Sequence, residues 1–371
     1  MEALSTGSDR PSDHLRWRAL RYLATFIIPL GAWATFTDRG LGYWAVPVVS
    51  FVLVPLVELF LRRDRDPLTE EEQAQVLHDP VFDVLLYLLV PLQYVLLGLF
   101  LHRVRSGGLD PLQLASTIAT MGILCGVYGI NVAHELGHRT KRWERDLARA
   151  LLLTSLYMHF IIEHNRGHHR RVATPDDPAS ARYGESVYGF WVRSIVYSWL
   201  SAWEIEADRL RKAGERPFGT KNEMIHALLW QGVLLVTIAL LFGPQALVAF
   251  LGAALIGILL LETVNYIEHY GLRRTRTATG NYGRVQHIHS WNSDHLVGRI
   301  MLFELTRHSD HHWKASKKYQ ALQGLEDAPQ LPTGYPGMML LSLAPPLFFS
   351  VMHPRLNALV ARGKDLALAT K

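Results

Sequence analysis

Six apolar runs constrain the fold of this 371-residue chain more than any other feature of its sequence. They lie at 18–36, 42–61, 81–102, 112–133, 225–242 and 245–267. A helix that crosses the hydrocarbon core of a bilayer needs roughly 20 predominantly apolar residues, so each run is long enough to span a membrane. Charged residues make up only 19% of the chain, against about 25% in a typical soluble domain. The runs therefore predict an all-α, polytopic membrane protein with six transmembrane helices.

The positive charges beside these runs predict how the helices are oriented. Arginines flank the outer ends of the first two runs, namely Arg10, Arg16, Arg18 and Arg21 before the first and Arg62, Arg63 and Arg65 after the second. The turn between these two runs contains only Arg39, whereas Arg103 and Arg105 in the next turn weaken the pattern mildly. Because short loops rich in Lys and Arg remain in the cytoplasm, we expect both chain ends and the loop 62–80 to face the cytoplasm of a bacterial inner membrane.

Two long segments between and after the runs carry most of the polar sequence. Segments 134–224 and 269–371 are predicted to be cytoplasmic and to hold the active site of one integral-membrane domain, 1–371. The apolar stretch 149–162 is too short to span and predicts a buried or interfacial helix. The net charge of +5 fits a basic face against anionic lipid better than a nucleic-acid surface, so we expect no nucleic-acid partner.

Histidine is concentrated in two windows of the sequence. Of the 18 histidines, six lie in 134–169 and seven in 269–312. The single cysteine, Cys125, cannot form an intramolecular disulfide or a thiolate metal cage. A metal bound by this chain must therefore be held by nitrogen and oxygen atoms.

The spacing of nine of these histidines predicts a metal centre. They occur in four short motifs: His134 and His138 in HELGH; His164, His168 and His169 in HNRGHH; His269 in IEHYG; and His308, His311 and His312 in HSDHH. Pairs four residues apart share one face of a helix, and the motifs lie where apolar runs end at one membrane face. Nine imidazoles are too many for one ion and suit two. Imidazole suits zinc, copper, iron and nickel, so ligand type alone does not choose the metal.

Other histidines and one motif allow different interpretations. His287, His289 and His295 are weaker ligand candidates, for which supporting or substrate-entry roles are favoured. The HELGH motif also matches the zinc protease signature, with Glu135 as general base. That reading leaves seven of the nine histidines without a role.

Acidic residues accompany the histidine motifs. Glu135, Glu163, Asp177, Glu268 and Asp310 are candidates to accept the second N–H of a ligating histidine, or to bind or bridge the metals themselves. We take Glu135, Asp177, Glu268 and Asp310 as the catalytic candidates. Two further acids, Glu58 and Glu262, lie inside apolar runs, where an ionisable group indicates a function by default.

The sequences of these motifs and of the residues around them resemble those of a known protein family. The relevant stretches are NVAHELGHR (131–139), IEHNRGHHRRVATPDDPASAR (162–182), NYIEHYGLRR (265–274), HSWNSDH (289–295) and LFELTRHSDHHWKASKKYQAL (302–322). Together they resemble the integral-membrane non-haem di-iron oxygenases, a superfamily that includes the fatty acid desaturases, and within it the membrane-bound alkane 1-monooxygenases. The likeness covers nearly the whole chain. Arg139, where the family pattern has lysine, and Glu262, where a small or polar residue is expected, depart from it.

The resemblance implies an activity and a cofactor. The nine histidines listed above would bind two iron ions that use O2 to convert the terminal methyl group of an n-alkane into a primary alcohol. A fatty acyl desaturase, or a hydroxylase of aromatic methyl groups or fatty acids, on the same scaffold remains the alternative. A metal transporter is disfavoured because its ligands would lie near the midplane of the membrane. Alkane chain length, the division of ligands between the ions and the oligomeric state stay open.

The electrons must come from another protein. The chain contains no Cys-x-x-Cys pair, haem motif or dinucleotide-binding glycine loop, and the resemblance implies a rubredoxin that is reduced by an NADH-dependent reductase. Basic residues lie near the histidine motifs, namely Arg139, Lys141, Arg142, Arg166, Arg170, Arg171, Lys314, Lys317 and Lys318. We expect this face to steer an acidic rubredoxin by charge complementarity.

Overall fold

The computed structural model describes residues 13–37, 42–61, 63–65, 67–362 and 366–369, which are mostly helical. Within these residues, five helices are long and apolar enough to span a membrane: Trp17–Phe36, Pro80–Arg105, Pro111–Gly137, Glu223–Phe242 and Pro244–His269. They match five of the six predicted runs to within a few residues. Arg10, Arg39 and Arg62, which entered the prediction of orientation, lie outside the described residues.

The sixth predicted span is present as a shorter helix, Ala45–Phe60. Its 16 residues cover about 24 Å at 1.5 Å per residue, less than the roughly 30 Å of a hydrocarbon core. Glu58 near its end is 1% exposed, and its Oε1 accepts a hydrogen bond of 2.6 Å from the backbone N–H of Gly298. This acid therefore ties the short helix to the segment 269–371 instead of reaching for water.

The remaining helices and two short strands lie mainly in the two polar segments. The helices are Glu70–His78, Arg142–Leu153, Phe160–Glu163, His169–Arg171, Val187–Lys212, Leu296–Met301, His308–Trp313, Tyr335–Ser342 and Pro345–Arg362. The strands Leu272–Arg274 and Leu366–Leu368 pair antiparallel. The stretch predicted as one helix over 149–162 is interrupted, because the chain turns after Leu153 and Leu156 takes a left-handed conformation, with φ of 53°.

The helix Val187–Lys212 was not predicted from the sequence. One of its faces is buried through Phe190, Ser194 and Ala202, whereas Val192 and Tyr197 are exposed on another face. Alternation of this kind is typical of an amphipathic helix on a surface. The sequence signal is weak because serines, not large apolar residues, form much of the buried face.

Close packing brings the ends of two long helices together. A Cβ atom on Gly122 would lie 2.5 Å from Cγ2 of Ile256, and one on Gly257 would lie 2.6 Å from Cβ of Cys125. Glycines at such contacts let the backbones of membrane helices approach closely. The helices Pro111–Gly137 and Pro244–His269 consequently end side by side.

Two stretches of π-helix lie at the histidine motifs. Cys125–Val132 directly precedes the first motif, and His164–His168 contains part of the second. A π-helical turn adds one residue to the helix and so rotates the side chains that follow it; such turns are frequent at functional sites. The i, i+4 spacing on a regular α-helix, which we assumed from the sequence, therefore does not apply to His164 and His168.

Candidate metal centre

The nine predicted histidines come together in two groups. The first, the five-histidine group, contains His134, His138, His164, His169 and His311. The second, the four-histidine group, contains His168, His269, His308 and His312. Within each group the possible ligand atoms all lie within 4.8 Å of one another. The nine histidines, whose division the sequence left open, thus fall into a group of five and a group of four.

Distances within the groups are uniform. In the five-histidine group the Nε2 atoms of His134 and His311 are 3.0 Å apart, and those of His138 and His164 are 3.2 Å apart. In the four-histidine group the Nε2 atoms of His308 and His312 are 2.9 Å apart. Within each group, these rings direct their Nε2 atoms at one common point.

This arrangement fits metal ions better than hydrogen bonding. Two nitrogens bound at right angles about 2.1 Å from one ion would lie about 3.0 Å apart. Burial and the neighbouring rings lower the pKa of His164, His169 and His311 well below the usual value, and burial lowers that of His138 to about 3. The rings are therefore neutral, and a neutral imidazole is the form that binds metal.

Asp177 supports the four-histidine group. Its Oδ2 lies 2.9 Å from Nδ1 of His168 and accepts a 2.6 Å hydrogen bond from Oγ of Ser180. Burial alone would lower the pKa of His168, but the charge and hydrogen bond of Asp177 outweigh burial and raise it. The same interactions lower the pKa of Asp177 to about 2, although burial opposes this. Asp177 thus fixes the ring of His168 with Nε2 directed at the group.

Glu268 touches the four-histidine group more directly. Its Oε2 lies 3.2 Å from Nε2 of His308, the atom that faces the other ligands. Its Oε1 accepts a 2.8 Å hydrogen bond from the hydroxyl of Tyr335. A carboxylate held in this way can bind a metal as a fifth ligand of the group. The sequence did not indicate Tyr335, which lies 67 residues away in a segment without motifs.

The other two acidic candidates make different contacts. Oε1 of Glu135 lies 2.9 Å from Nη2 of Arg139 and accepts a hydrogen bond from the backbone N–H of Tyr319. Oδ2 of Asp310 accepts hydrogen bonds from Nζ of Lys317, at 2.6 Å, and from the backbone N–H of Gln323. Both acids anchor loop 314–323 to the histidine helices. Because Glu135 is held by Arg139, it is poorly placed as the general base of a zinc protease.

The weaker candidates lie outside the two groups. Among the described residues, neither group includes His287, His289 or His295. Nδ1 of His289 accepts a hydrogen bond from the backbone N–H of Gln286, and Nδ1 of His295 lies 2.8 Å from Oγ of Ser293.

Two further acids bind partners other than the histidines. The intramembrane Glu262 accepts a 2.8 Å hydrogen bond from the hydroxyl of Tyr157. Oε1 of Glu163 accepts one from Nη2 of Arg171. These contacts give both acids a place in the fold next to the centre without bringing them to a ligand.

An apolar cavity adjoins both histidine groups. It is lined by Ile28, Ser50, Phe51, Val54, Ile123, Gly126, Val127, Asn131, His134, Phe160, His164, Leu260, Leu261, Val264, Asn265, Glu268, Gly298, Met301, Leu302, Leu305, His308, Pro336 and Met339. His134 and His164 belong to the five-histidine group, and His308 to the other. The lining contains no Lys or Arg among the described residues. The cavity can thus hold an apolar molecule against both groups at once.

Comparison with known proteins agrees with this site. The family model described as fatty acid desaturase matches residues 111–342, which contain all nine histidines. The chain is 39% identical over 356 residues to alkane 1-monooxygenase 1 of Pseudomonas aeruginosa, covering 94% of this chain and 92% of the relative. It is 38% identical to the alkane 1-monooxygenase of Ectopseudomonas oleovorans, over 88% of this chain and 81% of the relative.

A more distant relative is the hydroxylase component of a xylene/toluene monooxygenase from Pseudomonas putida, which is 28% identical over 85% of this chain and 84% of its own length. The alkane 1-monooxygenases are closer over a similar extent of the chain. This chain therefore belongs to the alkane 1-monooxygenase family, within the larger family that the fatty acid desaturase model describes.

Proposed function

We propose that this protein hydroxylates the terminal methyl group of n-alkanes, with O2 as the oxidant, to give primary alcohols. One observation carries the proposal: an apolar cavity is lined by His134, His164 and His308, which belong to the two groups that together contain nine histidines. The reaction consumes one alkane, one O2, two electrons and two protons, and yields one 1-alkanol and one water. The names of the alkane 1-monooxygenases at 35% to 39% identity support this assignment.

We propose two iron ions as the cofactor, one in each group. The five-histidine group offers five nitrogen ligands; the four-histidine group offers four, with Glu268 placed to add an oxygen. Iron bound there would supply the redox chemistry that activates O2. Imidazole suits iron, and the absence of thiolate from both groups excludes an iron–sulfur centre held by them.

The chain's own residues bind the substrate and keep the site dry. Cavity residues such as Leu260, Met301 and Met339 hold an alkyl chain by contact alone, because an alkane has no polar group to bind. Glu268 lies in the cavity wall beside His308 and is the acid we place nearest the reacting carbon. Asp177 acts through His168 as a positioning residue. Glu135 and Asp310 are assigned supporting roles, in which they hold loop 314–323 against the centre.

The cavity lining also discriminates between the alternatives. A fatty acid or its salt carries a carboxylate, which a site usually binds with Arg or Lys, and the described lining has neither. Hydroxylation of an aromatic methyl group is the second candidate function, since the xylene/toluene relative shares most of the chain. Both reactions use the same centre and differ in the shape of the cavity.

For the whole chain, we propose six membrane spans, with Ala45–Phe60 as the shortest, and place both termini and the metal centre on the cytoplasmic side of a bacterial inner membrane. The arginines around the first two spans support this orientation. Residues 1–371 then form one integral-membrane domain. The electron donor is proposed to be a rubredoxin with an NADH-dependent reductase, because the chain contains no electron-transfer cofactor motif of its own.

The test uses the whole protein purified in detergent. Its metal content is measured first, and it is then supplied with rubredoxin, reductase, NADH, O2 and n-octane. We expect iron at both groups and O2-dependent 1-octanol. Faster oxidation of p-xylene than of any n-alkane would favour the second candidate. A single zinc ion with no O2-dependent product would overturn the proposal.

A further inference from the structure

An exposed tryptophan lies beside the four-histidine group. Trp313 is 41% exposed, although it directly follows His312, which is 6% exposed. Both residues belong to the helix His308–Trp313. The indole ring lies on the surface, where it contacts the ring of His287, next to a buried candidate metal ligand. It connects the protein surface to the metal centre through one peptide unit.

The surroundings of this ring are positively charged. The guanidinium of Arg284 lies over the indole, 4.7 Å from its centroid, and the exposed Lys314 follows Trp313 in sequence. The buried Arg274 donates hydrogen bonds of 2.9 Å to the carbonyls of Gly283 and Arg170, and so holds the backbone beside Arg284 close to that of Arg170. We call Arg170, Arg284, Trp313 and Lys314 the Trp313 patch.

Other basic residues near the centre are neutralised by ion pairs. Arg166 pairs with Glu206, Arg171 with Glu163, Arg139 with Asp83, Lys317 with Asp310 and Lys318 with Asp83, at distances of 2.6 to 3.0 Å. No such pair involves Arg170, Arg284 or Lys314 among the described residues. One acid close to the patch, the exposed Asp327, has its Oδ1 3.6 Å from Nδ1 of His287, whose ring packs against Trp313. Arg284 and Lys314, at Trp313, are thus outside the ion pairs that neutralise these five residues.

We propose that the Trp313 patch is where a small acidic one-electron carrier docks and passes electrons to the four-histidine group. This inference rests on the proposed function, whose donor it places on the surface. In each encounter the carrier is oxidised by one electron and the metal centre is reduced by one. Two encounters supply one turnover. Trp313 changes neither its charge nor its covalent structure; it shortens the path through space between the carrier and His312.

A second exposed tryptophan provides a matched control. Trp143 is 48% exposed and has a cation over its ring, Nζ of Lys141 at 5.9 Å. It also follows a histidine motif, but four residues separate it in sequence from His138, the last histidine of that motif. Variants Trp313→Leu and Trp143→Leu therefore remove the same kind of side chain from surfaces of similar chemistry.

The experiment measures three quantities on iron-loaded protein in detergent. They are the affinity for rubredoxin at low and high salt, the rate at which pre-reduced rubredoxin reduces the centre, and the rate at which dithionite does so. We expect Trp313→Leu to weaken binding about thirtyfold, the scale of an interface hot spot, and to slow reduction by rubredoxin but not by dithionite. Trp143→Leu should behave as wild type, and Trp313→Phe should recover part of the loss.

Charge and folding are tested separately. Replacement of Arg284 and Lys314 by Gln should slow association and flatten its dependence on salt, because charges at the rim of an interface act mainly on the association rate. Unchanged iron content and thermal midpoint would establish that each variant is folded. Equal behaviour of the Trp313 and Trp143 variants would overturn the docking site, and direct contact of the carrier with the half-buried His138 or His169 would then replace it. Failure of the wild type to make alkanol would instead refute the proposed function.

Discussion

The five-histidine and four-histidine groups differ in burial and in their acidic partners. All members of the four-histidine group are buried, whereas His138 and His169 of the five-histidine group are half-buried. Among the described residues, two acids contact one of the nine histidines, namely Asp177 and Glu268. Both contact members of the four-histidine group. The group with fewer nitrogens is therefore the one with carboxylates.

This difference predicts that the two groups depend on different residues to bind a metal ion. Five neutral imidazoles can hold an ion without an anionic ligand, and two of these five are only half-buried. Four imidazoles with a carboxylate on the ring of His168 and another beside His308 give a site with more negative charge, which would stabilise a higher oxidation state of an iron ion bound there. The buried site should thus depend on its acids, and the half-buried site on its number of histidines.

Removal of one histidine from each group should have the largest effect. His269→Ala leaves three imidazoles in its group, whereas His138→Ala leaves four in the other. We expect both variants to lose hydroxylation. The iron content should separate them, because His269→Ala should release the ion of its group and His138→Ala should retain both ions when Fe(II) is in excess. The measurement is iron per chain after desalting, beside hydroxylation of n-octane.

The control for this pair is His226→Ala. His226 is exposed, its ring bonds the backbone carbonyl of Thr220, and neither histidine group includes it. It should keep full iron content and activity. Equal loss of iron from the His269 and His138 variants would remove the proposed difference between the groups.

Substitution of Glu268 tests the acid closest to a ligand. Glu268→Gln keeps the size of the side chain and a hydrogen-bonding partner for Tyr335 but removes the negative charge. We expect hydroxylation to fall by about 10- to 100-fold, the usual range for groups that support a metal site, with iron lost from the four-histidine group first. Tyr335→Phe should show a smaller loss of the same kind. An unchanged rate in Glu268→Gln would mean that the acid neither binds metal nor acts in the reaction.

The sequence predicted which histidines come together, because metal binding requires particular residue types at particular spacings. His134 and His312 could be assigned from motifs alone. The sequence did not give the division into groups, because it depends on where distant segments meet: His311 and His312 are adjacent in sequence but belong to different groups.

The acids were harder to interpret from sequence than the histidines. Glu135 and Asp310 lie inside motifs yet bind Arg139 and Lys317, since a motif does not specify the direction of a carboxylate. The short helix Ala45–Phe60 was predicted as a full span because hydropathy measures composition, whereas its end is fixed by the contact of Glu58 with Gly298.

Asp177→Asn should produce a more moderate change. The amide can still accept or donate a hydrogen bond at Nδ1 of His168 but no longer carries charge, so the orientation of the ring becomes less defined. We expect iron affinity of the four-histidine group to fall by about tenfold, the lower end of the range for such partners, and the five-histidine group to be unaffected. Titration of the metal-free protein with Fe(II) would resolve the two sites. A change in both sites would contradict their independence.

The smallest effect on chemistry is expected from Glu304, which supports both groups through the helix His308–Trp313. Its Oε2 accepts a hydrogen bond of 2.7 Å from Nε of Arg299 and lies 3.5 Å from Nε of Arg307, the residue before His308. Burial would raise the pKa of Glu304, but the two arginines lower it from 4.5 to about 2. Because the folded pKa lies below the unfolded one, this acid stabilises the fold above about pH 4.5. The contribution is lost as the pH falls from there towards 2.

Glu304→Gln leaves two buried arginines with one anionic partner fewer. Removal of one member of a buried ion pair costs about 3–5 kcal/mol, so the thermal midpoint in detergent should fall clearly at pH 7. The difference from wild type should shrink as the pH falls from about 4.5, where Glu304 of the unfolded chain takes up a proton, towards 2, where Glu304 of the folded protein does. Metal-free protein is used, with the exposed Glu326→Gln as control.

Since the helix carries ligands of both groups, the iron affinities of the two groups should fall together. A loss of iron affinity confined to one group would show that the two groups are supported separately. A difference in thermal midpoint that stays constant with pH would show that the charge of Glu304 is not what stabilises the helix.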